Sequence, residues 1–374
     1  MAQAINSEID IFKPHFNLTS AYRGGKSRTE AGANGRKTYK LSSNENLLGS
    51  SPKALAAIRR HVDGLNEYSD YQDDRFRAAL ADFYADQKLL PEQFLTANSG
   101  VEILEMIVRG FLDKGLEFII SSPAFGPYKL FSQKHAATLV DIPLLEEKDY
   151  QLDIDGILKA VNNKTRLLFL TSPNNPTGSY IPKTDLDRLI YALPDHVVVV
   201  YDEVYYQYPT ARDYVRAYEY VQAGRRVIGV NSFSKAYGLA GLRVGYAYST
   251  PEISNYLRQV ARPFMINTLA TEAAMAALQD DAHIARTVEL IHRERPRVLR
   301  AMWALGLQHY DSQANFILTR PPLDELEFEQ RMLKQGIMVR TMTAFGAPGC
   351  VRITIGTEEA NDALISALKK VLSN

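Results

Sequence analysis

The chain has 374 residues, with 43 Lys and Arg against 43 Asp and Glu, so its formal net charge at pH 7 is zero. That balance gives no long-range field of the kind a nucleic-acid or anionic-membrane partner would need and leaves charge to act locally. A single cysteine excludes an internal disulfide framework and any multi-thiolate zinc or iron-sulfur site, and seven histidines without a spacing such as HExxH argue against a metal enzyme.

The length suits two domains, or one large domain with a lobe. The start, MAQAINSEIDIFKPHF, has no basic cluster followed by a continuous apolar stretch, and no window reaches the apolar length of a bilayer span. A soluble cytoplasmic protein with neither nucleic acid nor membrane as partner is therefore expected.

In chain order, residues 1–50 are rich in Gly, Ser and Asn (YRGGKSRTEAGANGRK) and read as a mobile or draped arm rather than core. Apolar residues at three- and four-residue spacing predict a helix over 101–111 (VEILEMIVRGF), and the run EFIIS near 117 predicts a buried strand. Helical spacing returns over 153–162 and 182–192. Strands are predicted at RLLFLTS near 166, VVVVYDE near 197, RVIGVNS near 226 and LRVGYAYS near 242. The alternation predicts an α/β domain over 51–265, a mostly parallel sheet covered by helices on both faces. Beyond 265 come the long helical stretches TLATEAAMAALQ and RTVELIHRERPRVLRAMWAL, short strands at NFILT, GIMVRTM and CVRITIG, and a closing helix. Residues 266–374 thus read as a connecting helix and a smaller α+β C-terminal domain. No internal repeat is present.

Ligands of open parallel sheets bind beyond the carboxyl ends of the strands. The polar residues there are Ser172 to Asn175, Asp202 with Tyr205, and Ser232 and Ser234 with Lys235, so three strand ends should converge on one crevice. Lys235 lies in NSFSKAYGLAGLRVGY, flanked by hydroxyls and followed eight positions later by Arg243. A lysine there is either surface decoration or a nucleophile: desolvated beside other cations it loses its proton more readily, and a neutral amine condenses with an aldehyde. Asp202 emerges from a run of valines and needs a cationic or hydrogen-bonding partner, which an ordinary helix cap or loop ion pair would also supply. Arg352, in the apolar strand of GCVRITIG, needs either a ligand carboxylate or a structural salt bridge.

Two glycine-rich stretches mislead. RGGKS at 23–27 looks like the end of a phosphate loop but has Ser20 where the first glycine is required, and GLAGLRVGY lacks the dinucleotide GxGxxG spacing. Cys350 has no activating histidine nearby in sequence and reads as a small apolar filler.

Four segments in this order, TSPNNPTGSYI, VYDEVYY, SFSKAYGLAGLRVGY and GCVRITIGT, resemble the signature set of pyridoxal-phosphate aminotransferases of fold type I. With LSSNENLLGSSP and the aromatic arm at Tyr22, they are most similar to the histidinol-phosphate aminotransferase family, over about residues 20–374. The resemblance implies a seven-stranded-type sheet and pyridoxal 5'-phosphate as cofactor, with Lys235 as the amine that bonds it and later moves a proton. It also implies Asp202 opposite the pyridine nitrogen, where an ion pair keeps the ring an electron sink. Asn175 and Tyr205 then stand at the 3'-oxygen, and Phe125, where the family commonly has tyrosine, stacks on the ring.

Ser232, Ser234 and Arg243 would hold the cofactor phosphate with the backbone NH groups of Gly100 and Val101 at a helix start. Here Ser99, Gly100, Val101 and Glu102 stand in place of the family's usual Gly-Ser-Asp-Glu. Tyr68 would reach the phosphate from the neighbouring subunit, implying a homodimer with shared active sites. Arg352 would take the α-carboxylate of the second substrate, Asn175 would also contact substrate, and Arg340 and Tyr22 would hold the distal phosphate of the first.

The implied reaction is amino transfer between histidinol phosphate and 2-oxoglutarate or glutamate, with a small-molecule amino donor and a keto-acid acceptor and no metal. Relatives suggest three alternatives: an aminotransferase for aromatic amino acids, a phosphothreonine decarboxylase-like enzyme, and a non-catalytic ligand-sensing module.

Overall fold

The computed structural model describes residues 24–25 and 37–373. Thirteen strands run along the described chain: β1 (Tyr39–Lys40), β2 (Phe94–Ala97), β3 (Glu117–Ile120), β4 (Thr138–Asp141), β5 (Thr165–Thr171), β6 (Val198–Asp202), β7 (Val227–Ser232), β8 (Gly245–Tyr248), β9 (Gln308–His309), β10 (Phe316–Arg320), β11 (Ile337–Met338), β12 (Arg340–Thr341) and β13 (Val351–Thr354). The helices between and around the first eight are α1 (Pro52–His61), α2 (Asp74–Phe83), α3 (Gly100–Phe111), α4 (Gly126–Lys134), α5 (Ile154–Ala160), α6 (Lys183–Ala192), α7 (Ala217–Gln222) and α8 (Pro251–Val260). Then follow α9 (Thr268–Leu278), α10 (Asp281–Ala304), α11 (Glu325–Lys334) and α12 (Glu358–Leu372).

The large sheet has seven strands in the order β2-β8-β7-β6-β5-β3-β4. Every pair is parallel except those of β8, which runs antiparallel to both β7 and β2. Period-two alternation splits each central strand between two cores. On β6, Val199 and Tyr201 pack with α1, α2, α6, α7 and α9, whereas Val198 and Val200 pack with α3, α4 and α8. The run of valines is the expected sequence for a strand buried on both faces.

A second sheet, β12-β13-β10-β9, is antiparallel and packs with α10, α11 and α12 around a separate core containing Phe316, Ile353 and Leu364. GIMVRTM divides between two sheets: β11 pairs in parallel with β1, while β12 pairs with β13. The reading of the whole N-terminal stretch as an arm outside the core is corrected over its last part. Leu41 is fully buried in the second core, and its carbonyl accepts from the Thr354 amide at 2.8 Å. A glycine-rich composition does not prevent the few apolar residues at its end from being fixed by a strand some 300 residues away in sequence.

Two close approaches shape the region beyond the strand ends. Ser99 turns the chain with φ 101° and caps α3, its hydroxyl accepting from the Glu102 amide at 3.3 Å. Opposite it, a side chain at Gly245 would place its first carbon 2.4 Å from the Gly100 nitrogen, so only glycine lets β8 pass this close to the helix start.

Candidate active site

A cavity of about 250 Å³ opens at the carboxyl ends of β5, β6 and β7, walled by the start of α3, by α4 and by the loop at Ser43 and Glu45. The three expected strand ends meet there: Asn175, Asp202 with Tyr205, and Ser232 and Ser234 with Lys235 all line it. Ser172 does not. Its hydroxyl turns back to accept from the Ile181 amide at 3.0 Å.

Lys235 is half-buried, and its Nζ donates to the Ser43 carbonyl at 3.3 Å and lies 5.6 Å from the centre of the Tyr205 ring. Burial, followed by the Arg352 guanidinium, brings its pKa down to about 8, against an opposing pull from Glu45 and Asp202. Near neutral pH an appreciable fraction of this amine is unprotonated and nucleophilic.

Asp202 continues the face of Val198 and Val200, and burial pushes its carboxyl up to about 6. Its Oδ2 accepts from the Tyr128 hydroxyl at 2.6 Å and its Oδ1 from the Val204 amide at 3.2 Å. No basic side chain lies within salt-bridge distance of it among the described residues. A buried carboxylate facing a cavity in this way is suited to a cation.

Asn175 is buried, and its Oδ1 accepts from Nη1 of Arg352. Because a guanidinium only donates, this contact fixes the amide orientation and leaves Nδ2 as the donor end. Arg352 also donates from Nη2 to the Ser42 carbonyl at 3.1 Å. It therefore stands behind Asn175 rather than in the cavity wall. The Tyr205 hydroxyl accepts from Nδ2 of Asn44 at 3.0 Å.

At the other end, Ser99, Gly100 and Val101 of the α3 start share the wall with Ser232, Ser234 and Arg243. The Ser232 hydroxyl donates to the Ser234 hydroxyl at 3.0 Å, and Arg243, exposed and with φ 56°, donates from Nη1 to the Ala240 carbonyl at 3.0 Å. Helix-start amides, two hydroxyls and a guanidinium make this end suited to an anion. Phe125 lines the wall between the two ends and meets Tyr128 edge to face at 5.6 Å.

Arg340 and Tyr68 also stand apart from the cavity wall. Arg340 pairs in register with Arg352, so the two side chains leave one face of the small sheet, and its Nη1 donates to the Gly24 carbonyl at 2.8 Å outside the cavity wall. Tyr68 is 86% exposed and stacks on Phe264 at 4.7 Å, away from the cavity of its own chain. Tyr22 lies outside the described residues.

Sequence reasoning missed four polar wall residues, Ser43, Glu45, Tyr128 and Thr171. Tyr128 had a usable signal, since it follows Phe125, already a candidate, by only three positions. Thr171 had one too, as the last residue of a strand whose end was already under scrutiny. Ser43 and Glu45 had none beyond their motif, because their place depends on pairing with distant strands. Among the described residues no group of three or more His, Cys, Asp or Glu is placed to hold a metal, and no helix is long and apolar enough to cross a membrane.

A lysine of lowered pKa, a buried carboxylate with no counter-ion among the described residues and a helix start suited to an anion, set at the carboxyl ends of three strands of a mostly parallel seven-stranded sheet, define an enzyme of the aminotransferase type. Residues 36–368 match the family described as aminotransferase class I and II, and the chain belongs to that family, which implies pyridoxal phosphate. It is similar to the histidinol-phosphate aminotransferase of Akkermansia muciniphila, with 37% identity over 94% of this chain and 96% of that protein. The corresponding enzyme of Moorella thermoacetica is 36% identical over 89% of this chain and 85% of its own. Among solved structures, histidinol-phosphate aminotransferase from Sinorhizobium meliloti, in complex with pyridoxal-5'-phosphate, superposes with a TM-score of 0.86 at 26% identity, over 98% of this chain and 99% of that one. A Thermus thermophilus aspartate aminotransferase mutant, at 24% identity, shares the fold with a TM-score of 0.83, over 97% of this chain and 99% of that one.

Proposed function

We propose that the chain transfers an amino group from histidinol phosphate to 2-oxoglutarate, using pyridoxal 5'-phosphate held in the 250 Å³ cavity. The observation that carries this reading is the pairing, on one cavity wall, of the Lys235 amine with the Asp202 carboxylate, which has no counter-ion among the described residues. The residues fit the cofactor at each end. Asp202 supplies the anion for a protonated ring nitrogen, Asn175 Nδ2 and the Tyr205 hydroxyl supply donors for a ring oxygen, and Phe125 supplies an apolar face. The amides of Gly100 and Val101, with Ser232, Ser234 and Arg243, supply donors for a phosphate.

When bound, the cofactor supplies an aldehyde and an electron-withdrawing ring that stabilises negative charge at the substrate carbon. Lys235 Nζ, part-neutral near pH 8, is the group that attacks a carbonyl and then holds or returns a proton at the reacting carbon. Arg352 keeps Asn175 oriented, and its guanidinium, released from Asn175 and the Ser42 carbonyl, would offer the carboxylate of the keto acid a fork that matches two oxygens. Arg340, which leaves the same sheet face, and Tyr22 are the candidates for the distal phosphate of the amine.

We place the boundary between the cofactor domain (51–265) and the connecting helix with the small domain (266–374) near residue 265, with residues 1–50 serving the small domain and the substrate side. We also infer a homodimer. Tyr68, Tyr71 and Phe264 form an exposed aromatic cluster that a second copy would cover, bringing Tyr68 to the partner's phosphate. A single cysteine fits a reducing compartment, and we place the enzyme in the cytoplasm.

The deciding experiment mixes loaded protein with histidinol phosphate, aromatic amino acids and phosphothreonine and follows cofactor absorbance. Conversion to the amine form with histidinol phosphate, reversed by 2-oxoglutarate, is the expected result. Conversion only with aromatic amino acids, or carbon dioxide release from phosphothreonine, would overturn the substrate. Failure of the purified protein to bind pyridoxal phosphate would overturn the whole reading.

A further inference from the structure

We propose that Tyr128 is a positioning residue that keeps Asp202 ionised toward the cofactor ring, through a directed hydrogen-bond chain running from Thr171 to Tyr128 to Asp202. The inference rests on the proposed cofactor site and adds a residue to it. Tyr128 is buried, and its hydroxyl lies 2.6 Å from Asp202 Oδ2 and 2.8 Å from Thr171 Oγ1. A phenol has one proton to give, and an ionised carboxylate can only accept. With Asp202 ionised, Tyr128 therefore donates to Asp202 and accepts from Thr171, and the direction of the chain is set.

The placement follows from the elements. Thr171 and Asp202 are register partners at the ends of β5 and β6, and the first turn of α4 carries Tyr128 to them, just after Phe125 at the helix cap. The Tyr128 ring is fixed independently of its hydroxyl, stacked on Phe169 at 5.0 Å and 17°. Burial also drives the Tyr128 pKa well above its ordinary value, so the phenol remains a donor at any working pH.

The electrostatic balance around Asp202 shows why such a donor matters. Burial favours its neutral form, as does Glu203, the residue after it, while the Val204 amide and Lys235 from the β7 loop oppose them. The Tyr128 hydrogen bond is the largest of the effects favouring the anion. Without it the carboxylate becomes a stronger base, and a proton shared with a ring nitrogen would shift toward Asp202.

The test is Tyr128→Phe, loaded with pyridoxal phosphate labelled with nitrogen-15 in the ring. The expected result is a ring-nitrogen chemical shift moved toward the unprotonated value, with cofactor affinity down roughly tenfold, the smaller end of what a hydrogen bond to a charged group contributes. The melting temperature of the cofactor-free protein should stay within a few degrees of the parent, because the ring still packs on Phe169. Thr171→Val, which removes only the far donor, should shift the nitrogen signal in the same direction by less. An unchanged ring-nitrogen shift in folded, loaded Tyr128→Phe overturns the proposal, as does a larger shift in Thr171→Val than in Tyr128→Phe. If the parent itself shows an unprotonated ring, or takes up no cofactor, the fault lies with the proposed function instead.

Discussion

Asp202 and Glu203 are adjacent carboxylates at the end of β6, both buried, and alternation sends them to opposite faces of the sheet. Glu203 follows Tyr201 and is satisfied entirely by protein. It accepts from Arg216 at 2.8 Å, from Nδ2 of Asn231 at 2.9 Å, from the Ala217 amide at 3.0 Å and from the Tyr248 hydroxyl. Arg216 in turn lies 3.6 Å over the Tyr206 ring. Asp202 follows Val200 and meets a phenol, one backbone amide and open cavity. The two positions share burial, residue class and strand end, and differ in whether the described residues supply the opposite charge. A buried charge already neutralised serves the fold, whereas one left for a ligand is suited to function.

The largest effect expected within the cavity is at the amine that faces Asp202. Lys235→Ala should lower turnover at least about a thousandfold, since both a nucleophile and a proton carrier are lost, with the chain still folded by circular dichroism. Turnover within tenfold of the parent would remove Lys235 from the chemistry. The next effect separates the two carboxylates. Glu203→Ala leaves the Arg216 guanidinium buried without its carboxylate, and should cost roughly 3–5 kcal/mol, read as a drop in the denaturant midpoint of the cofactor-free protein.

Asp202→Asn should do the reverse to stability. Burial raises the Asp202 carboxyl from its ordinary 3.8 to about 6, so between those pH values the folded chain holds a proton that the unfolded chain has released. The stability this contributes is complete below about pH 4 and is lost as the pH rises to about 6. The Asn variant does not titrate. It should therefore gain on the parent across that window and, above pH 6, hold an advantage on the order of 2–3 kcal/mol without cofactor. The same variant should bind pyridoxal phosphate more weakly than the parent. A variant less stable than its parent at pH 7.5 would place Asp202 with Glu203 as a structural charge.

The contrast also explains what was legible in the sequence. The valine run of β6 announces a strand buried on both faces, so its end and the residues beyond it could be named without coordinates. The same holds for β5 and β7. The strands of the large sheet that went unread, β2 and β4, are its two edges, only four residues long, and β4 leaves Thr138 and Asp141 exposed. What distinguishes Glu203 from Asp202, however, is the arrival of Arg216, Asn231 and Tyr248 from three other segments, and no local pattern reports that. Nor does one report that β1 pairs with β11, which places Ser43 and Glu45 in the cavity wall. Local periodicity shows where a side chain points; the partner waiting there is set by long-range pairing.

The smallest effect is expected where burial involves no charge. Cys350 is fully buried among Leu144, Tyr150, Tyr310, Leu318, Met342, Phe345 and Ala347, and burial pushes its thiol pKa up. Only two positions from Arg352, it gives the protein neither a nucleophile nor a counter-ion. Cys350→Ala should leave turnover unchanged and cost about 1 kcal/mol of stability, comparable to losing one buried methylene. Iodoacetamide should label the parent only after denaturation. Rapid labelling of native protein, with loss of turnover that the Ala variant escapes, would show that this thiol reaches the surface near the site, and that burial there seals the core less completely than it does around Asp202 and Glu203.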